Sequence, residues 1–162
     1  MNALLGALQD SPLGELVRGA GVWSYGILNA VHVIGLAALF GAIVVLDLRL
    51  LAWRADRPLH EVAAGTVPIA AIGLAVAAVT GLAMLSSNAR DYVRNPFLLV
   101  KFAALAVGLL NLLLLHRSRA WRAVRERRDA SSGDRRRLAM GGALSLVAWI
   151  ATIVAGRLMG YA

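Results

Sequence analysis

Phe97–Leu115, FLLVKFAALAVGLLNLLLL, is the stretch that decides the fold. An α-helix needs about 20 mainly apolar residues to cross roughly 30 Å of hydrocarbon, and this stretch supplies them with one charge, Lys101. An ionisable residue inside a membrane span is costly and marks a working site by default. Outward from it, three further stretches have the same character: Tyr25–Leu51 with His32, Val62–Leu85, and Leu138–Tyr161 with Arg157. The composition agrees, at 59% hydrophobic and 16% charged residues over 162, with a mean hydropathy of +0.69. Such a chain is solvated by lipid rather than water. The predicted fold is all-α: a polytopic membrane protein built as a four-transmembrane-helix bundle with a short N-terminal interfacial helix. A single membrane domain takes up residues 1–162, divided into an outer interfacial segment (1–22), four spans (25–51, 62–85, 97–115, 138–161) and a basic cytoplasmic loop (116–137).

The net charge of +8 is unevenly placed, and this sets the topology. His116–Arg137 carries Arg117, Arg119, Arg122, Arg125, Arg127, Arg128, Arg135, Arg136 and Arg137 against Glu126, Asp129 and Asp134, and the first turn adds Arg49, Arg54 and Arg57. By the positive-inside rule both loops are cytoplasmic, and both termini lie outside. The arginine run reads as a topology signal that also touches anionic lipid headgroups, not as a nucleic-acid site. Asp10-Ser11-Pro12 opens a short amphipathic segment through Arg18. Trp23, Tyr25, Tyr92 and Tyr161 fall at the outer boundary and Trp53 and Trp121 at the inner one, as an aromatic belt requires. Asn95-Pro96 starts the third span, and Ser131-Ser132-Gly133-Asp134 breaks the basic loop. Met1–Gly21 lacks the basic start and cleavage site of a signal peptide.

At 100° per residue, Asn29, His32, Leu36, Ile43 and Asp47 share a stripe of the first span. Thr66, Gly73, Ala77, Thr80 and Met84 share one of the second, and Lys101, Gly108, Asn111 and Leu112 a broader face of the third. Ser145, Trp149, Thr152 and Gly156 line the fourth, with Arg157 turned away from them. Small and polar residues in such stripes make helix–helix seams. By depth, Asn29, His32, Thr80, Met84, Lys101, Arg157 and Met159 fall in the outer half. Asp47, Arg49, Asn111, His116 and Ser145 fall near the inner boundary, where Asp47 is expected to pair with Arg49, Arg117 or His116 as a clamp.

Two short echoes suggest an internal repeat of a two-helix hairpin. Ala52-Trp53-Arg54-Ala55 recurs as Ala120-Trp121-Arg122-Ala123, and Gly81-Leu82-Ala83-Met84 as Gly156-Arg157-Leu158-Met159. The repeat relates His32 to Lys101 in depth. No Asp or Glu lies in the outer half of any span, so Lys101 has no intramembrane counter-charge unless Asp91 reaches back. A lysine so placed sheds its proton, snorkels outward or receives an anionic ligand.

The run Val31-His32-Val33-Ile34-Gly35 through Leu46-Asp47-Leu48-Arg49-Leu50-Leu51, then Thr80-Gly81, Tyr92-x-x-Asn95-Pro96-Phe97, Lys101, Asn111, Ser145-Leu146-x-x-Trp149 and Gly156-Arg157-x-x-x-Tyr161, resembles a family of small bacterial inner-membrane proteins known only as a domain of unknown function. The resemblance covers nearly the whole chain and implies a four-helix protein of the bacterial inner membrane. It brings no activity or cofactor. Leu85-Ser86-Ser87-Asn88 departs from it, being less apolar than that end of the second span in the family.

Two function classes fit these residues. In the first, a membrane redox subunit binds b-type haem or copper: His32 is the ligand, Lys101 and Arg157 neutralise propionates or another anion, and Thr80 and Asn29 orient the group. His60 and His116 sit at the opposite face, so the axial partner would be Met84 or Met159, and Cu(I) would use His32, Met84 and Met159. In the second, a non-enzymatic transporter or partner subunit binds a small anionic solute in the same pocket. A homo-oligomer or a membrane redox partner is compatible with either. Hydrolytic catalysis is disfavoured, because there is no cysteine, no GxSxG elbow, no HExxH and no phosphate-binding glycine loop.

Overall fold

The structure, a computed structural model, describes residues 2–53, 57–87, 89, 95–128 and 131–161. Among the described residues seven helices follow in chain order and there is no strand. They are α1 (Asn2–Gln9), α2 (Pro12–Gly19), α3 (Gly21–Leu50), α4 (Leu59–Ser87), α5 (Pro96–Arg117), α6 (Arg119–Arg125) and α7 (Ser132–Leu158). Local chemistry accounts for where they begin. Ser11 accepts from the Gly14 amide and Pro12 takes the first turn of α2. Asn95 accepts from the Phe97 amide ahead of Pro96 and α5, and Ser131 accepts from the Asp134 amide at the start of α7. Each cap satisfies an amide that the first helical turn leaves without a partner. Gly21, at φ +82, lets the chain turn between α2 and α3, a conformation that costs a side-chain-bearing residue free energy.

Helices α3, α4, α5 and α7 are long and apolar enough to cross a membrane, and the buried share of their most apolar windows runs only from 11% in α5 to 39% in α7. Ile34, Ile72, Val79 and Val147 are about two-thirds exposed. Exposed aliphatic surface in that quantity requires lipid around it. The chain is a multi-pass membrane protein.

Two antiparallel hairpins, α3–α4 and α5–α7, stand side by side and join where α3 meets α7. Among the described residues no extended seam links α4 to α5. Small residues allow the close approaches. A Cβ on Gly73 would fall 2.5 Å from the Leu39 amide nitrogen and 2.8 Å from the Gly35 carbonyl, so α3 and α4 touch backbone to backbone there. Between hairpins, Gly142 of α7 lies against Leu50 and the Asp47 backbone. The middle of the bundle is closed by Leu39, Ile43 and Trp149, with Phe40, Ala70, Leu74 and Leu105 around them.

The arginine-rich segment is more ordered than a loop. Ser118 caps α6 through the Trp121 amide, and α7 begins at Ser132, so residues 116–137 are largely helical. Trp121 is a correction to the belt expectation: it is 3% exposed and packs with Leu50, Ala63, Ala120, Val124 and Leu138, its ring 4.4 Å from that of His116. The apolar side of α6 lies across the ends of α3, α4 and α7 and leaves Arg119, Arg122 and Arg125 exposed. This end of the bundle is called the basic end below, and the opposite one the termini end.

At the termini end, α2 rests against the last turn of α4, where Arg18 donates to the Ser86 carbonyl at 3.4 Å. Leu13 and Leu16 are exposed, as an interfacial segment requires. The less apolar end of α4 is accommodated internally, since the Ser86 and Ser87 hydroxyls donate to the Ala83 and Met84 carbonyls.

Candidate functional site

His32 sits on the face of α3 turned to α4. Its Nδ1 is 2.9 Å from Thr80 Oγ1, and the single Thr80 hydroxyl proton goes to the Val76 carbonyl at 2.6 Å. Thr80 can therefore only accept from His32, so Nδ1 carries the hydrogen. In the neutral ring this leaves Nε2 with its lone pair, the arrangement by which a hydrogen-bonded partner fixes the tautomer and aim of a ligating histidine. The ring fits because residue 81 is glycine: a Cβ there would stand 3.0 Å from His32 Cε1.

Lys101 repeats this placement in the other hairpin. Its side chain lies over Gly156, where a Cβ would be 3.5 Å from both Cε and Nζ. The residue before that glycine is Ala155, buried and without a polar side-chain atom, so Lys101 has no counterpart of Thr80. It lies within electrostatic range of the His32 ring, with no hydrogen bond between the two among the described residues. Among the described residues no carboxylate pairs with it. Asp91, the expected counter-charge, lies outside the described residues, as do Tyr92 of the belt and Asn88.

The structure brings His32, Thr80 and Lys101 into one neighbourhood and distributes the other candidates around it. Asn29 is exposed on α3. Arg157 is exposed and engaged locally: its Nη2 donates to the Tyr161 hydroxyl at 2.7 Å, and its guanidinium lies 4.9 Å from the ring centroid. Met84 is half-buried on the turn of α4 after Thr80, and half-buried Met159 caps α7, its carbonyl receiving Asn95 Nδ2 at 3.1 Å. No group of three or more His, Asp or Glu side chains that could hold a metal is assembled among the described residues.

Towards the basic end, the expected Asp47 clamp is not formed among the described residues. Arg49 donates instead to the Arg57 carbonyl at 2.7 Å, and His116 Nδ1 is 2.9 Å from the Leu112 carbonyl. Asp47 faces α7, is 4% exposed, and takes the Ser145 hydroxyl as its side-chain partner. The arginines of the loop snorkel outward, and the carboxyl, on a short stem, cannot follow them. Asn111 crosses the α5–α7 seam to the Gly141 carbonyl at 2.9 Å.

The His32–Thr80 bond was not legible as a bond, although both residues fall at one depth. Only the relative rotation of α3 and α4 decides it. Among protein families, the model described as "Family of unknown function (DUF6644)" matches residues 9–162. No curated protein and no solved structure matches the chain.

Proposed function

The chain belongs to the DUF6644 family, and from that premise we propose that its working site is the His32–Thr80–Lys101 group at the termini end, binding an anionic ligand between the two hairpins. One observation carries this reading: Thr80 holds His32 through Nδ1 and makes no bond to Nε2, within electrostatic range of a lysine that no described carboxylate neutralises. An imidazole nitrogen and an ammonium together suit a ligand with an electron-pair-accepting centre and a negative charge. Haem b would draw on both, with His32 and Lys101 as the residues that would hold it, and when bound it would supply one-electron chemistry. Copper would draw on His32 with Met84 and Met159. A small anionic solute uses the lysine as counter-charge and the histidine as a hydrogen-bonding group, as in a transporter or partner subunit. Asn29 and Arg157 would supply the rim. We place the basic end in the cytoplasm beside anionic headgroups, with both termini outside.

The test compares wild type, His32→Ala and Lys101→Met after mild detergent purification, by visible spectrum, metal analysis and mass spectrometry of co-purifying small molecules. A Soret band or bound copper lost in His32→Ala identifies the redox reading. An anionic solute lost in Lys101→Met identifies the transport reading. Wild type carrying nothing, with both variants folded and fully active in cells, would overturn both.

A further inference from the structure

A buried carboxyl lies near the basic end, on the seam between the hairpins. Asp47 is 4% exposed, and its Oδ2 has no hydrogen-bond partner among the described residues. The place is built to hold it. Gly142 removes the side chain that would otherwise meet the Asp47 backbone, with a Cβ there 3.1 Å from the Asp47 carbonyl and 3.5 Å from its Cα. The Ser145 hydroxyl, nearly one turn further along α7, supplies a single partner to the carboxyl.

Among the described residues no charged group of the surrounding helices offers the carboxyl a counter-ion. On α3, Arg49 is turned to the Arg57 carbonyl. On α4, Glu61 is exposed, His60 is half-buried at the first turn, and the Thr66 hydroxyl donates to Val62. On α7, Arg135, Arg136 and Arg137 are exposed, and so are Arg119, Arg122 and Arg125 on α6. His116 on α5 is directed at Leu112. A carboxylate taken from water without a counter-ion is one of the most expensive groups a bilayer interior can hold. A metal cation would need more oxygen donors than a carboxyl and one hydroxyl provide. A proton on Oδ2 removes the charge without needing any further ligand.

We infer that Asp47 and Ser145 form a proton-binding site on the α3–α7 seam. The carboxyl takes up a proton at Oδ2 and returns it to the medium on the basic side. No electron is transferred, and the O–H bond is the only one made and broken. Ser145 is the side-chain partner of the carboxyl, and the Leu50–Trp121–Leu138 cluster lies towards that surface. The inference stands apart from whatever His32 binds.

Dicyclohexylcarbodiimide tests it, because this apolar reagent modifies carboxyl groups that carry a proton. Treatment of the whole protein in detergent or vesicles, with the adduct mapped by mass spectrometry, is expected to label Asp47 in mildly acidic buffer and about tenfold less in alkaline buffer. Asp47→Asn is expected to lose the adduct and to keep its thermal stability in alkaline buffer, where wild type falls below it. Absence of an Asp47 adduct in folded wild type at every pH would overturn the proposal. So would labelling and stability that do not change with pH, since the proton would then be a fixed part of the fold.

Discussion

The two hairpins hold a polar side chain in the same way and finish the job differently. In α3–α4, His32 lies on Gly81 and Thr80 beside that glycine binds its ring. In α5–α7, Lys101 lies on Gly156, but the neighbouring position is Ala155. The first group is anchored and the second is left for something else to neutralise. Two turns further along, the relation inverts. Gly73 on the second helix of one hairpin receives the Leu39 backbone, while Gly108 on the first helix of the other receives Trp149 and Ala148 side chains. The echo at residues 81–84 and 156–159 therefore has a structural meaning. The echo around Trp53 and Trp121 does not: Trp53 is 58% exposed after a left-handed Ala52, and Trp121 is buried in α6. Arg54 and Ala55 lie outside the described residues.

The comparison is broken most forcefully at the seams. Gly73→Ala sets a methyl against backbone atoms that cannot move aside, and thermal unfolding in detergent is expected to show a loss of about 3 kcal/mol. Gly108→Ala meets Trp149 Cε2 at 3.4 Å, an ordinary contact, and should stay within about 1 kcal/mol of wild type. Equal losses would mean that the hairpins are packed alike.

Thr80→Val is expected to cost about 1–2 kcal/mol, because it leaves the His32 N–H without its hydroxyl acceptor. The same variant should weaken ligand retention, whereas Thr152→Val should not, since that hydroxyl donates only to the Ala148 carbonyl at 2.8 Å. Ligand loss in Thr152→Val alone would move the site to the other hairpin.

Smaller effects separate the two glycines under the polar side chains. Gly81→Ala pushes a rigid imidazole off its rotamer, at about 1 kcal/mol, so ligand affinity should fall roughly fivefold. Gly156→Ala meets the flexible end of Lys101 at 3.5 Å, and affinity should change by less than about twofold. Titration of the purified protein with the ligand it carries reads both, and the reverse order would show that Lys101, not His32, is the constrained partner.

Membrane orientation gives a separate check on the arginine asymmetry. A periplasmic-type reporter is expected to be active at the C-terminus and inactive when inserted near Arg127, and the opposite pattern would invert the proposed sidedness while leaving the hairpin comparison intact.

The sequence alone determined the four spans, the helix starts at Ser11-Pro12 and Asn95-Pro96, and the small-residue seams at Gly73, Ala77 and Gly108, whereas Ser131, read as a break in the basic loop, caps a helix that begins six residues before the expected span. Hydrocarbon thickness and the backbone's need for hydrogen bonds act on composition and periodicity, and both are written along the chain. The sequence also put His32, Thr80 and Lys101 at one depth, because rise per residue is constant in a helix. Only the tertiary structure decided which of them touch. Helix rotation and crossing set whether Thr80 meets His32, whether Asp47 turns to Ser145 instead of an arginine, and whether α6 folds Trp121 inward. Those are contacts between elements remote in sequence, and neither hydropathy nor period records them.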